Sequence, residues 1–207
     1  AAEAVGGSFL WGEIVEGLVP GGVGVGVDGD DMCADAVVLA AGVGIPALGA
    51  PVPMKRSPGV LAHTQANTGA TRLRGLVVDA VSGVHFLQRN DGTAVVGGDL
   101  KGYAVASSAS AEEAAPSLDE GARLVDRAAA WLPHVAAPVQ ATTLAYRVLP
   151  EDGYPAVGFT RAGSYVCAAH SAITLAPVLS ALAVAELLDG VDVDVLEPWR
   201  PGRFVNL

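Results

Sequence analysis

Residues 146–177 read YRVLPEDGYPAVGFTRAGSYVCAAHSAITLAP. Within this segment, residues 164–169 form a short apolar run that predicts a strand buried on both faces. A turn containing His170 and Ser171 follows, and an apolar helix then extends to about Leu188. A buried strand that leads directly into an apolar helix indicates a layered α/β structure.

The chain around this segment divides into outer and middle parts. Residues 36–40 are another continuously apolar run, so the outer parts predict layers of strand and helix. In the middle part, short apolar runs and the hairpin turn Asn90-Asp91-Gly92 predict an antiparallel sheet. Ser117 is placed to cap the one clear helix of this part, with Glu120 three residues on. The predicted strands are 13–18 and 22–27 in the first part and 54–64, 76–79, 84–88 and 93–99 in the middle, and the predicted middle helix is 117–132.

The composition excludes several classes of protein. Of the 207 residues, 51% are hydrophobic and 16% are charged, and 12 basic against 22 acidic residues give a net charge of −10. Binding to nucleic acid phosphates or to an anionic membrane surface requires clustered Lys and Arg, so this balance argues against both. The apolar content is ample for a buried core, which excludes a disordered chain.

Two apolar stretches have the length of a membrane span, but neither predicts one. Residues 37–54 carry no charge, yet their glycines and prolines would break a helix. Residues 172–188 include Glu186, which fits a buried helix of a soluble domain better. We also expect no signal peptide, and Cys33 and Cys167 do not form a disulfide framework. The sequence therefore predicts a cytoplasmic protein that does not cross a membrane.

Three further patterns fit known sites only in part. Residues 42–47 match a G-x-G-x-x-A dinucleotide fingerprint, but the prolines that follow do not predict the required helix, and the acidic residue is missing. Ser171 lies between a strand and a helix like a hydrolase nucleophile, but Ile173 is too large for that turn and no His follows it. Metal-ligand spacing is absent among His63, His85, His134, His170 and the acidic turn at residues 28–31, so we predict no metal site.

Residues 146–177 resemble the C-terminal signature of the D-amino-acid oxidase family of FAD-dependent oxidoreductases, which includes glycine oxidase and sarcosine oxidase. That signature has an Arg, a D-G-x-P-x-x-G segment, an apolar strand, a turn with a His flanked by glycines, an A-P pair and a helix. Arg147, residues 152–158 and residues 170–177 occupy these places. Residues 34–42 look like the family's A-D-x-V-V-x-A-x-G strand, residues 53–59 like its entry to the substrate domain, and residues 201–204 like its usual terminus.

The resemblance implies the fold, the cofactor and the reaction. The fold class would be α/β with an α+β insertion. Residues 1–50 and 146–207 would form part of an FAD-binding Rossmann-like domain, interleaved with an antiparallel-sheet substrate domain in residues 51–145. The reaction would be the FAD-dependent oxidation of the C–N bond of an amino acid or another small-molecule amine to an imine, with hydride transfer to flavin N5.

The resemblance also implies the site residues. Arg147 would bind the substrate carboxylate, because a guanidinium matches a carboxylate with two hydrogen bonds. The alternative for Arg147 is a structural ion pair with an acidic neighbour such as Asp152. His170 would be either structural or an acid/base group. The implied FAD contacts are Val15, Gly42, Ser171, Ala172, Ile173 and Thr174.

The sequence departs from the family pattern in two ways. Ala169 and Ala172 replace the usual glycines around His170, and Gly44 replaces a frequent Trp, which puts the substrate class in question. In addition, these residues contain no opening strand with G-x-G-x-x-G for the FAD pyrophosphate. We therefore expect a missing N-terminal part of the FAD domain, or a partner chain, to supply it. The alternative function is a non-catalytic fragment or binding subunit that needs a partner to form the FAD site.

Overall fold

The computed structural model describes residues 3–19, 23–67, 73–98 and 117–204. The chain divides into two compact units, one made of Ala1–Arg56 with Val148–Leu207 and the other of Ser57–Arg147. None of the described helices is long and apolar enough to cross a membrane. The strands are β1 (Val15–Leu18), β2 (Gly24–Val27), β3 (Asp30–Cys33), β4 (Val38–Leu39), β5 (Met54–Thr64), β6 (Leu76–Val78), β7 (His85–Gln88), β8 (Ala94–Gly98), β9 (Val139–Pro150), β10 (Ala156–Phe159) and β11 (Tyr165–Ala168), and the α-helices are α1 (Leu118–Ala129) and α2 (Ala172–Leu188).

A mixed three-stranded sheet forms the centre of the first unit. Its order is β10-β11-β4, with β10 and β11 antiparallel and β11 and β4 parallel. Val166 and Ala168 of β11 pack into one apolar cluster, whereas Tyr165 and Ala169 pack into another cluster that includes residues of α2. The prediction that residues 164–169 form a strand buried on both faces is confirmed.

A second sheet in the first unit consists of the antiparallel strands β1, β2 and β3. The sequence predicts β1 and β2 but not β3, because its acidic start resembles a turn. The turn itself occupies Asp28 and Gly29, whose φ angles are 48° and 88°. Asp30 and Asp31 pair with Val27 and Gly26, so pairing with β2 outweighs the low strand propensity of aspartate.

The second unit is a five-stranded sheet with α1 on one face. The strand order is β6-β7-β8-β5-β9. Ser117 caps α1 as predicted: its hydroxyl accepts from the Glu120 N–H at 3.2 Å, and the Glu120 carboxylate accepts from the Ser117 N–H at 2.6 Å. Leu124 and Ala128 of α1 lie in the apolar cluster that contains Phe86 and Val96 of the sheet. The protein is thus a mixed α/β structure with antiparallel sheets.

Candidate functional site

The carboxyl ends of the two parallel strands lie at the same edge of the mixed sheet. Val166 of β11 lies opposite Leu39 of β4, so the residues that follow each strand leave the sheet together. Gly42 comes three residues after Leu39, and Ser171 comes three residues after the end of β11. Ligands of open α/β sheets bind outside this edge, so the structure brings Gly42 and residues 170–174 to a favourable position.

Gly42 cannot be replaced by a larger residue without strain. Its φ is 57°, and a Cβ built on it would lie 3.0 Å from Cγ2 of Val148. Gly42 also begins a 3₁₀ helix, Gly42–Leu48, that has Pro46 inside it. The dinucleotide fingerprint at residues 42–47 therefore lies inside a short 3₁₀ helix, and the next element is the strand β5 and not an α-helix, which agrees with the expectation from the prolines.

The turn before α2 presents backbone N–H groups. α2 begins at Ala172 after Ser171, whose φ of 58° is left-handed and whose side chain does not cap the helix. The first N–H groups bonded within this turn are those of Thr174 and Leu175, which donate to the Ser171 carbonyl at 3.0 and 3.1 Å. The N–H groups of Ala172 and Ile173 precede them and have no acceptor within the helix. These donors lie at the positive end of the helix dipole, which suits an anionic or electron-rich ligand.

The side chains of this turn leave the backbone accessible. Residues 170–174 are all exposed, and Ile173 is 95% exposed. His170 Nδ1 lies 3.0 Å from the Ser171 hydroxyl, so the partner of His170 is its own neighbour in the turn. Such a contact helps to hold Ser171 in its left-handed conformation, which is costly for a residue with a side chain.

Val15, the predicted adenine contact, begins β1 in the other sheet of the first unit and is 41% exposed. Strand β1 lies beside the Gly42–Leu48 helix. The structure therefore places Val15 on an element next to Gly42.

Arg147 lies in the second unit, on β9, and its guanidinium is held against β5. Its Nη1 donates to the Pro58 carbonyl at 3.1 Å and to the Ser57 hydroxyl at 3.4 Å. The Nη2 atom lies 3.3 Å from the position that a Cβ of Gly59 would occupy. The acidic neighbour Asp152 pairs with Arg203 at 2.6 Å, which lowers the pKa of the Asp152 carboxyl.

His63 and His85 lie on the same face of the five-stranded sheet as Arg147. His63 Nε2 lies 3.1 Å from the Thr143 hydroxyl of β9, and His85 lies across from Gly97 of β8. Among the described residues, no group of three or more His, Cys, Asp or Glu side chains could hold a metal ion. The hairpin centred on Asp91 pairs residue 85 with residue 97, so strand register places the His85 imidazole over Gly97.

A buried polar network holds the far end of α2. Arg200 donates to both carboxylate oxygens of Glu186, at 2.8 and 2.5 Å, and the Tyr165 hydroxyl donates to the same carboxylate at 2.7 Å. The hydrogen bonds from Arg200 lower the pKa of Glu186 to about 2, whereas burial and the contact with Glu186 raise the pKa of Tyr165. Because these groups are paired with one another, they position α2 behind the turn at residues 170–174.

Comparison with known proteins identifies the fold. The model of the family "FAD dependent oxidoreductase" matches residues 1–187. L-proline dehydrogenase from P. horikoshii has a TM-score of 0.80 and 18% identity, over 99% of this chain and 57% of that chain. Glycine oxidase from Geobacillus kaustophilus has a TM-score of 0.75 and 22% identity, over 96% of this chain and 54% of that chain. Iminodiacetate oxidase from Chelativorans sp. BNC1 has a TM-score of 0.66 and 20% identity, over 89% of this chain and 51% of that chain.

No curated protein matches the sequence. The chain spans about half the length of the solved structures that share its fold. The resemblance to the D-amino-acid oxidase family, which binds FAD, is confirmed by the match along residues 1–187. The chain belongs to the family of FAD-dependent oxidoreductases.

Proposed function

We propose that this chain contributes the flavin-edge and substrate-binding parts of an enzyme that oxidises the C–N bond of an amino acid or another small amine to an imine. The observation that carries this proposal is the sheet edge at which Gly42 and the uncapped start of α2 follow two parallel strands. The relatives of known structure support the substrate class, since glycine, L-proline and iminodiacetate, for which they are named, are amines that carry a carboxylate.

In the proposal, the backbone at this edge contacts the isoalloxazine ring of the flavin. When bound, FAD would accept a hydride at N5 from the carbon next to the amine nitrogen. In the proposal, the N–H groups of Ala172 and Ile173 donate to the ring edge that gains negative charge, where a fixed helix dipole stabilises it. Ser171 and Thr174 contribute further backbone contacts on either side. Gly42 lets the chain turn at a φ of 57° close against Val148, which places its backbone at this edge.

Val15 and His170 have lesser parts in the proposal. The backbone of Val15, at the exposed start of β1, would contact the adenine. His170 would serve mainly to hold Ser171 through the 3.0 Å contact with its hydroxyl, and an acid/base part remains its second assignment.

Arg147 would bind the substrate carboxylate. Its hydrogen bonds to Pro58 and Ser57 fix the plane of the guanidinium, and Gly59 leaves room beside that plane. A fixed guanidinium binds a carboxylate with two parallel hydrogen bonds at little further cost in side-chain entropy. This arrangement would fix the orientation of the substrate through its carboxylate.

In the proposal, polypeptide outside this sequence supplies the pyrophosphate-binding turn, either as an N-terminal part or as a partner chain. Two observations support this. The chain covers between 51% and 57% of the three solved structures compared above. Its own fingerprint match at residues 42–47 leads into a 3₁₀ helix, so it does not offer an α-helix N-terminus to a pyrophosphate.

A second candidate function is a non-catalytic subunit that acts only through a partner. It is favoured by α2, on which Ile173, Val178, Val184 and Leu188 are between 50% and 95% exposed. An apolar helix with so much exposed surface is typical of an association face.

Flavin binding distinguishes the two candidates. The purified protein, with any polypeptide that co-purifies, should show flavin absorbance. Adding an amino acid under anaerobic conditions should reduce the flavin and bleach this absorbance. Gly42→Val should weaken FAD binding by about tenfold or more, because a Cβ 3.0 Å from Cγ2 of Val148, at a φ of 57°, would force the backbone of this turn to move. The matched control is Gly49→Val at the other end of the same 3₁₀ helix, where φ is also positive, at 91°, but nothing lies within 4 Å of a Cβ. A colourless protein that does not bind added FAD would support the non-catalytic candidate.

Arg147 is tested separately. Arg147→Ala should raise KM for amino acids while leaving the turnover of an amine without a carboxylate unchanged. Arg123→Ala is the matched control, because Arg123 lies exposed on α1, on the other side of the sheet. An unchanged KM for amino acids in Arg147→Ala would refute the assignment.

A further inference from the structure

Strand β4 carries more apolar surface than the described part of the chain buries. Residues 36–40 are a continuous apolar run, a pattern typical of a strand that is covered on both faces. Leu39 is buried, but Val38 is 47% exposed. Val38 lies directly beside Tyr165 of β11, so the two side chains point to the same face of the mixed sheet. Tyr165 is buried there in the cluster that includes residues of α2, so among the described residues α2 covers β11 and leaves Val38 half exposed.

The outer edge of β4 also presents backbone hydrogen-bonding groups. Within the described ranges β4 is the last strand of its sheet, and β11 pairs with one of its two edges. The Tyr165 N–H donates to the Val37 carbonyl at 2.8 Å, so the next residue, Val38, directs its N–H and carbonyl away from β11. A further parallel strand would pair with these groups.

Helix α2 is apolar on all of its sides. Leu179 and Ala183 pack into the cluster beneath the helix, and no residue from 172 to 185 is charged. On the opposite side, an exposed apolar stripe follows the helical spacing along Ile173, Pro177, Ala181, Val184 and Leu188. A helix with apolar side chains all round is typical of a protein interior. Strand β4 and helix α2 therefore show the same disagreement between an apolar sequence and an exposed surface.

We propose that this surface is the docking site of polypeptide N-terminal to these 207 residues, which adds a parallel strand to the outer edge of β4 and packs a helix on Val38 and α2. This inference rests on the proposed function, in which such polypeptide supplies the pyrophosphate-binding turn. The relatives of known structure support the occupant, because this chain covers only 51%, 57% and 54% of their single chains. The rest of each relative is long enough to supply a strand, a turn and a helix.

The parallel direction of the added strand fits the candidate site. The carboxyl ends of parallel strands meet at one edge of a sheet, so the added strand would end beside Gly42 and the turn at residues 170–174. A turn and helix that follow this strand present their N–H groups at that edge, where the FAD pyrophosphate needs donors. An antiparallel strand would place its turn at the opposite edge of the sheet. One docking surface would thus bury β4 and α2 and also complete the cofactor site.

Cysteine labelling tests whether the surface is covered. The experiment uses the full-length product of the gene, in which the exposed Cys33 is replaced by Ser. Val184→Cys should react with a maleimide about tenfold more slowly than Val81→Cys, because a covered thiol reacts only when the contact opens. Val81 is the matched control, since it is an exposed valine on a turn of the second unit. Equal labelling rates at the two positions would overturn the inference.

Photo-cross-linking identifies what covers the surface. Benzoylphenylalanine in place of Val184 should form a cross-link within one chain, and mass spectrometry should find it joined to a peptide N-terminal to residue 1. A cross-link to residues 99–116, to a second copy or to another protein, or no cross-link at all, would overturn the inference. Neither measurement depends on activity. If an amine reduces the flavin while the labelling rates are equal, the docking inference fails and the proposed function stands; if the surface is covered as proposed and no amine reduces the flavin, the proposed function fails instead.

Discussion

Replacing Glu186 by Gln should destabilise the protein by about 2–3 kcal/mol at pH 7, and the loss should disappear in acid. The carboxylate is 3% exposed and accepts hydrogen bonds from Arg200, Tyr165 and the Val193 N–H. Lowering its pKa from 4.5 to about 2 corresponds to about 3 kcal/mol in favour of the folded state. We expect somewhat less, because the Arg200 side chain is 21% exposed and water screens part of the interaction.

The pH dependence has a definite sign. Since the pKa of Glu186 is lower in the folded state, its stabilisation is complete above about pH 5 and is lost as the pH falls towards about 2. Urea unfolding followed by circular dichroism at pH 7, 4 and 2.5 measures this. The difference in free energy of unfolding between wild type and Glu186→Gln should narrow steadily over that series.

A matched control is available on the same guanidinium. Glu197 is 78% exposed and lies 3.9 Å from Arg200 Nε, so Glu197→Gln should cost less than about 0.5 kcal/mol. The reasoning would be refuted if Glu186→Gln lowered the free energy of unfolding by the same amount at pH 7 and pH 2.5. It would also be refuted if the loss at pH 7 were no larger than that of Glu197→Gln.

Three further predictions concern the second unit, and urea unfolding at pH 7 measures each of them. Ser117→Ala removes the cap of α1 and should cost about 1 kcal/mol. Gly121→Ala should destabilise by about 1–3 kcal/mol in spite of its better helix propensity, because the Cβ would lie 2.6 Å from Cγ2 of Thr142; the same change at Gly75, with nothing within 4 Å, should be nearly neutral. Leu124→Ala opens a cavity at a side chain with 0% exposure and should cost about 2–5 kcal/mol, and a loss below 1 kcal/mol would contradict the packing described for α1.

Local signals predicted the elements that depend on local interactions. The strand at 54–64 has the predicted bounds, and the capping box at Ser117 fixed the start of α1 to the residue. β9 was not predicted, because a strand of threonines, alanines and scattered apolar residues is defined by its neighbour β5, more than seventy residues earlier in sequence. Non-local pairing of this kind leaves little trace in local periodicity.

The candidate site also combines features that the local sequence predicts with features that it does not. The family signature predicts Arg147 and the turn at residues 170–174 as site residues, but it does not show how the turn is built. The sequence suggests Thr174 as a capping residue with Pro177 in the first turn, whereas α2 begins at Ala172 and Ser171 is left-handed. This difference arises because Ser171, three residues after β11, adopts a left-handed conformation that residue preferences do not favour.

The hydrogen-bond network at Glu186 also determines where the chain can be truncated for recombinant expression. The family match ends at residue 187, and helix α2 ends at Leu188, so either would look like a natural boundary for recombinant expression. Arg200 lies beyond both, and so do the 3₁₀ helix Pro201–Phe204 and the buried Phe204. A truncated product would lose Arg200 and the Val193 N–H as partners of Glu186, together with the buried side chains of Leu196 and Phe204. Expression vectors for this protein should therefore extend at least through Phe204 and carry any affinity tag after it.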